Sequence, residues 1–355
     1  MSLGYYDMLP PVRAPGESLL PAVAGLRLPH RVLASIGVPG GRLTVAFVSD
    51  SARLSRMFAA NWGPAAPDQV PDATLYALTR PAGGYGLGGS WDGVRWWSAE
   101  QRAMVVFGFG SYRLVKVCVR GLCSAVTGDG LLFLHGCALS VGAGAARRGV
   151  VITGSSGAGK TTLVAGVLRH PELAAAVLND DWGGICLRTG EAASTGEQLL
   201  HMKTSSVLAL RPDFFTSAPP GSYRPDRSEG GTAARLLVPP GRVYGTAWTT
   251  SPMVVAHVVV VVREPPGWRP PGPDGETVRA LESEDEAGAA HHHEAFFNGS
   301  LILPGEPDKW REERRYQRLF ERTAVTWLNN CGPPEALLAD FIAATTSAVP
   351  CREPR

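Results

Sequence analysis

The stretch "VVITGSSGAGKTTL", Val150 to Leu163, decides the fold of this chain. A β-branched apolar run stops at a glycine, small residues follow, and a Lys-Thr pair opens a helical sequence. Gly154-Ser155-Ser156-Gly157-Ala158-Gly159-Lys160-Thr161 fits the pattern GxxxxGK[ST] at every specified position. Glycines let successive backbone N–H groups turn inward on phosphate oxygens, and the helix N-terminus adds partial positive charge. Lys160 brings a point charge to the outer phosphates, Thr161 offers a hydroxyl to a metal, and Thr162 completes the set of nucleotide contacts. The helix is predicted from Lys160 to about Arg169. The expected ligand is a nucleoside triphosphate, ATP or GTP.

The next strand, "AAAVLNDD", ends on Asp180 and Asp181. A triphosphate site needs carboxylates, because Mg²⁺ or Mn²⁺ prefers oxygen ligands and is held against the phosphates by negative charge. The pair is expected at the C-terminal end of a parallel strand, where α/β sheets collect their ligands. One acid would hold metal together with Thr161, and the other would take a proton from an acceptor. Upstream, "LLFLHGCALSV" reads as a strand carrying His135. Before it, "SYRLVKVCVRGLCSAV" has apolar residues at 114, 117/118, 122 and 125/126, a helical spacing. An amphipathic helix of this kind places Lys116 toward solvent.

Taken together, "LHGCALSV…VVITGSSGAGKTTL…LNDDWGG" resembles the shared core of ATP-dependent phosphoenolpyruvate carboxykinases and HPr kinase/phosphorylases. The resemblance covers about residues 113–335 and is specific over 134–183. It implies that His135 reaches the metal or the transferred phosphate. It also implies a phosphate-contacting role for Lys203 in "LLHMKTSSV" and a γ-phosphate clamp at Arg235 in "ARLLVPP", and it makes Lys116 similar to a metal-binding lysine of carboxykinases. "EAFFNGSLILP…RRYQRLFERTAVTWLNNCG" is similar to the carboxykinase C-terminal stretch. The chain departs from both families. It is far shorter than a carboxykinase and shows no arginine and tyrosine elements for oxaloacetate. Its loop ends in Lys-Thr where HPr kinases have Lys-Ser, and their second signature loop is not found.

The rest of the sequence bounds these expectations. A net charge of +2 without a Lys/Arg-rich run excludes a nucleic-acid or membrane-surface footprint. The longest apolar run, "MVVAHVVVVV" at 253–262, is about half the ~20 residues of a membrane span and suits a buried strand. The start of the chain lacks the basic-then-apolar order of a secretion signal. Cysteines 118, 123, 137, 186, 331 and 351 form no CxxC pair, which fits reduced core thiols and a cytoplasmic setting. Pro/Gly-rich loops are expected to about Pro21 and at 80–93, 211–231 and 263–290. Tyr85, Trp91, Trp96 and Trp97 are expected in the core of a small lobe. The run His291-His292-His293 is expected to be a loop or a contact beside the adenine.

The expected fold is α/β: a carboxykinase/HPr-kinase-like P-loop core of mixed sheet with flanking helices (111–355), plus a small strand-rich N-terminal lobe (1–110). The expected activity is transfer of the γ-phosphoryl group to a hydroxyl of a small metabolite or a serine-type group of a peptide. A true carboxykinase and a non-catalytic nucleotide sensor are the alternatives, and a homo-oligomer is in keeping with the related kinases.

Overall fold

The computed structural model describes residues 12–13, 18–88, 91–92, 95–108, 110–144, 147–154, 157–217, 223–226, 235–265 and 315–346. Ser155, Ser156, Cys351, the 291–293 histidines and most of 263–290 lie outside the described residues. Mixed sheets and helices make the chain α/β.

The N-terminal part is built on a six-stranded sheet in the order β1-β5-β6-β4-β3-β2. Its strands are β1 (Val12–Arg13), β2 (His30–Val38), β3 (Gly41–Ser49), β4 (Ala73–Leu78), β5 (Arg95–Ser98) and β6 (Ala103–Phe107). The first helix, α1 (Leu19–Ala24), starts inside the stretch expected to be a loop, because Leu19, Leu20 and Val23 find an apolar face to bury. A second helix, α2 (Ala52–Asn61), is capped by Ser51, whose hydroxyl accepts from the Leu54 N–H at 3.3 Å. It packs Leu54 and Phe58 on the sheet, with Phe58 stacked on Phe47 at 4.7 Å. Trp97 joins this core, while Tyr85, Trp91 and Trp96 line a second small core on the other face.

Next comes α3 (Tyr112–Thr127), which is buried along nearly its whole length. Its Tyr112, Val115, Cys118, Val119, Leu122 and Cys123 share one core with Phe47, Phe58 and Leu75 of the N-terminal sheet and with Phe133 and Trp182 beyond it. Cys137 is buried as well, whereas Cys331 is exposed, against the expectation of core thiols.

The second sheet carries the strand that leads into the glycine-rich 154–161 segment. Its strands are β7 (Leu131–Val141), β8 (Arg148–Gly154), β9 (Ala176–Asn179), β10 (Trp182–Cys186), β11 (Glu191–Ala192), β15 (Met253–Val262) and β16 (Ala324–Asn329). Pairing runs β10-β11-β15-β8-β7-β9, with β16 on β15 and β10 also on β7. The sheet therefore curls back on itself. From Val255 onward the valines of β15 are buried on both faces, which explains their apolar run: Val259 and Val261 meet one core, Val258, Val260 and Val262 the other. On the first of these faces lies α4 (Lys160–Arg169), packed through Leu163, Val164 and Val167, and over it α8 (Pro334–Thr346) packs through Leu337 and Phe341. Each of these buried aliphatic side chains contributes roughly 1.5–3 kcal/mol.

A three-stranded sheet of β12 (Leu200–Lys203), β14 (Arg235–Val238) and β13 (Arg224–Asp226) completes the fold, with short helices α5 (Thr204–Leu210), α6 (Phe214–Ser217) and α7 (Pro240–Tyr244). Both β13 and α6 fall within 211–231, which was expected to be loop. They are anchored by Phe214, Phe215 and Tyr223, whose rings meet at 5.3–5.6 Å.

Candidate functional site

β7 is antiparallel to both β8 and β9. The C-terminal ends of β8 and β9 therefore emerge at the same edge, with β7 between them. The phosphate loop leaves β8 there and the acid pair leaves β9. Residue alternation along β7 sends Leu131 and Phe133 into the core shared with the N-terminal sheet, and Cys137, Leu139 and Val141 into the core under α4. His135 falls on the same face, at the junction of the two cores. Its carbonyl accepts from the Thr153 hydroxyl at 2.7 Å, next to the start of the loop.

The acid pair follows the C-terminal end of β9, as expected, but β9 pairs antiparallel with β7 and has no parallel neighbour among the described strands. β9 and β10 both run antiparallel to β7; the register shifts between Ala138 and Leu139 but carries across the acids, with Ala138 opposite Asn179 and His135 opposite Trp182. The Asp181 carbonyl still accepts from the Gly136 N–H at 3.0 Å. Its φ of +74° is uncommon for a residue with a side chain. That left-handed turn breaks the alternation, so that Asp181 reaches His135 instead of pointing to the opposite face: Oδ1 lies 3.4 Å from His135 Nε2. Strain of this sort collects at functional sites.

Lys116 is the principal correction to the sequence reading. It is not on a solvent face but 2% exposed, with Nζ 2.8 Å from Glu197 Oε1 and 3.2 Å from Asp181 Oδ2. Asn61, the last residue of α2, donates to the same Glu197 oxygen at 3.1 Å. The chain Asn61–Glu197–Lys116–Asp181 thus ties the N-terminal sheet to the acid pair. Asn179 secures the loop that carries Glu197, accepting from the Thr195 N–H at 2.9 Å and donating to the Ala193 carbonyl at 2.8 Å.

These contacts give the two acids different characters. Burial raises Asp180, the neighbouring Asp181 charge raises it further, and Lys116 offsets only part, so that its pKa rises to about 6. The Tyr244 hydroxyl, at the end of α7, sits against it. Asp181 is also opposed by burial, but Lys116 and the His135 bond hold its carboxyl well below the usual range. Its side chain keeps 37% exposure and so faces open space. Burial pushes His135 down to about 4, with Lys160 and Arg120 adding to the effect against Asp181. The imidazole is neutral at physiological pH, and an Nε2–H donated to Asp181 leaves no lone pair there for a metal.

In the loop, Lys160 Nζ donates to the Gly154 carbonyl at 2.6 Å. Gly154 has φ +145°, and a Cβ on it would stand 2.1 Å from the Val261 carbonyl of β15. Gly159 has φ +109°, and its Cβ would meet Asn330 Nδ2 at 2.2 Å, the atom that donates to the Ala158 carbonyl at 2.8 Å. Asn330, just past β16, therefore splints the loop from the C-terminal side. Gly159→Ala is expected to weaken nucleotide binding at least tenfold in a calorimetric titration, since a left-handed non-glycine residue costs about 1–2 kcal/mol before any clash is counted. Thr161 and Thr162 follow in the first turn of α4, half-buried and exposed respectively.

Lys203 and Arg235 are cross-strand partners on β12 and β14, and Arg235 Nη1 donates to the His201 carbonyl at 3.2 Å. The structure brings these two cations to each other, whereas the acid pair is held by Lys116 and His135. Among the described residues no group of three or more His, Cys, Asp and Glu side chains is arranged to hold a metal. One or two carboxylates with a hydroxyl, completed by phosphate and water, are hard oxygen donors and fit the way Mg²⁺ is ordinarily held. Glu197, Asn330, Tyr244 and Arg120 escaped the sequence reading.

No family model matches the chain, and a search of curated proteins finds no match. No helix among the described residues is long and apolar enough to cross a membrane.

Proposed function

We propose that the protein is a kinase that moves the γ-phosphoryl group of ATP or GTP to a hydroxyl of a small molecule or a serine-type group of a peptide. The observation that carries this is the common edge of β8 and β9. There a glycine loop with its lysine and two carboxylates of opposite character flank one buried histidine. Phosphoryl transfer asks mainly for positioning and charge neutralisation along the line from leaving to attacking oxygen.

In this scheme the loop amides and Lys160 grip the β- and γ-phosphates, and Arg235 with Lys203 supplies cationic charge to the migrating group. A divalent ion held by Thr161 and an acid-pair oxygen would neutralise phosphate charge. Asp180 is the base: it takes the acceptor hydroxyl proton as that oxygen bonds to the γ-phosphorus and the bond to the β–γ bridging oxygen breaks, releasing the nucleoside diphosphate. A carboxylate raised to about 6 is a stronger base than an ordinary one yet is mostly ionised at neutral pH. Asp181 stays charged throughout, fixed by Lys116 and His135.

Because Asp180 must be ionised, kcat/KM is expected to fall below pH about 6 and to level above it; a profile flat from about pH 5 to about 8 contradicts the assignment. Acceptor-dependent release of nucleoside diphosphate, with the acceptor gaining one phosphoryl group by mass spectrometry, tests the activity itself. Tight nucleotide binding without release, across hydroxyl-bearing metabolites and peptides, would leave a sensor in place of a kinase.

A further inference from the structure

One buried cation at this edge has no counterpart in the scheme above. Arg120 lies one helical turn beyond Lys116 on α3 and shares its buried face. It is 2% exposed, and its Nε and Nη1 are buried without a hydrogen-bond partner. Its guanidinium carbon stands 6.0 Å from the ring centroid of Trp182, the residue after Asp181 and the register partner of His135. Lys116, one turn away, is paired with two carboxylates; Arg120 feels the Asp181 charge but has an aromatic face and, among the described residues, no carboxylate at ion-pair distance. Leaving a buried charged donor unmet costs about 1–3 kcal/mol or more.

Resting on the phosphotransfer reading, we infer that Arg120 is the anion-receiving group of the acceptor subsite, and that the acceptor carries a negatively charged group beside its hydroxyl. Lys160 and the loop grip the donor on the α4 side of His135. Arg120, on α3, carries charge close enough to act on both His135 and Asp181, and the acceptor is assigned to that side. A planar guanidinium suits either a carboxylate or a phosphate on that acceptor.

The test uses the full chain saturated with Mg·AMP-PNP, which fills the donor site through its γ-position, and follows thermal unfolding while malonate, inorganic phosphate or neutral malonamide is added. Malonate or phosphate is expected to raise Tm saturably and malonamide to leave it unchanged; which anion acts identifies the carboxylate or phosphate class. Arg120→Gln is expected to weaken the anion at least tenfold while Mg·AMP-PNP affinity stays within about twofold. Arg120→Lys, which keeps the charge and loses the planar fork, makes the same comparison if the glutamine variant does not fold. An anion response equal in wild type and variant, or none in wild type, overturns the inference. Running the titration without nucleotide separates the two claims. An anion effect that depends on Arg120 in a protein that binds no Mg·AMP-PNP would sink the kinase and spare the anion site.

Discussion

Replacing Asp180 with Asn is expected to lower phosphoryl transfer roughly 10²–10⁴-fold, the usual worth of a positioned base, and to make the protein more stable at neutral pH. The two effects share a cause. Asp180 has its folded pKa raised from 3.8 to about 6 by burial and by Asp181. A group raised on folding adds stability at low pH, and that contribution is lost as pH climbs through the folded value. The wild type thus carries a cost that develops between pH about 4 and about 6 and then levels off, on the order of 3 kcal/mol at most. Asparagine cannot ionise, so the variant escapes it, and it can still accept from Tyr244. The Tm gap between variant and wild type should open across that window and stay constant above it. Full activity in Asp180→Asn would remove the proposed base. A variant less stable at every pH would show that the carboxylate is a structural ligand. Nucleotide affinity should be almost unchanged in Asp180→Asn; the double Asp180→Asn with Asp181→Asn, which also removes the acid-pair oxygen offered to the metal, should abolish turnover.

Lys116→Met carries the largest expected loss of stability. Lys116 is the cation between Glu197, 1% exposed, and Asp181, so its removal strands a fully buried carboxylate. Breaking a buried ion pair from one side costs about 3–5 kcal/mol, whereas neutralising both partners costs far less. Urea unfolding of Lys116→Met, Glu197→Gln and the double variant should therefore give a strongly non-additive cycle, the double being more stable than Lys116→Met alone. Additive losses would show that the ion pair is not what holds the two halves together. Lys116→Met should also raise Asp181 toward the ordinary carboxylate range, since Lys116 is the main charge holding it down.

Much of the site's skeleton could be read locally. The loop, the strand bearing His135, the helix from Lys160 and the strand leading to the acid pair lie where motif and periodicity put them, because each is signalled within a dozen or so residues. What failed was long-range. Lys116 looked exposed because the helical spacing was taken for one apolar stripe, yet Val115, Val117 and Val119 surround it. A helix buried along most of its length leaves its two buried cations, Lys116 and Arg120, in need of partners or ligands. That signal was present in "VKVCVRGLC" and was outweighed by the amphipathic template. Glu197 had no local signal: in "STGEQ" a buried acid looks like a solvated one until Asn61 and Lys116 arrive from elsewhere in the chain. The direction of β9 was also beyond local reading, because an apolar run ending in acids says nothing of which neighbour it pairs with. Asn330 gains its role only from Ala158, 172 residues earlier in the chain, and the adjoining Gly159.

The most direct test is a crystal structure of the full chain with Mg·AMP-PNP. The expected result is the γ-phosphate against the Lys160 ammonium, and the metal at about 2.1 Å from the Thr161 hydroxyl, an acid-pair oxygen and a phosphate oxygen. A nucleotide bound away from the Gly154–Thr161 loop, or a metal with neither Asp180 nor Asp181 near it, would contradict the account.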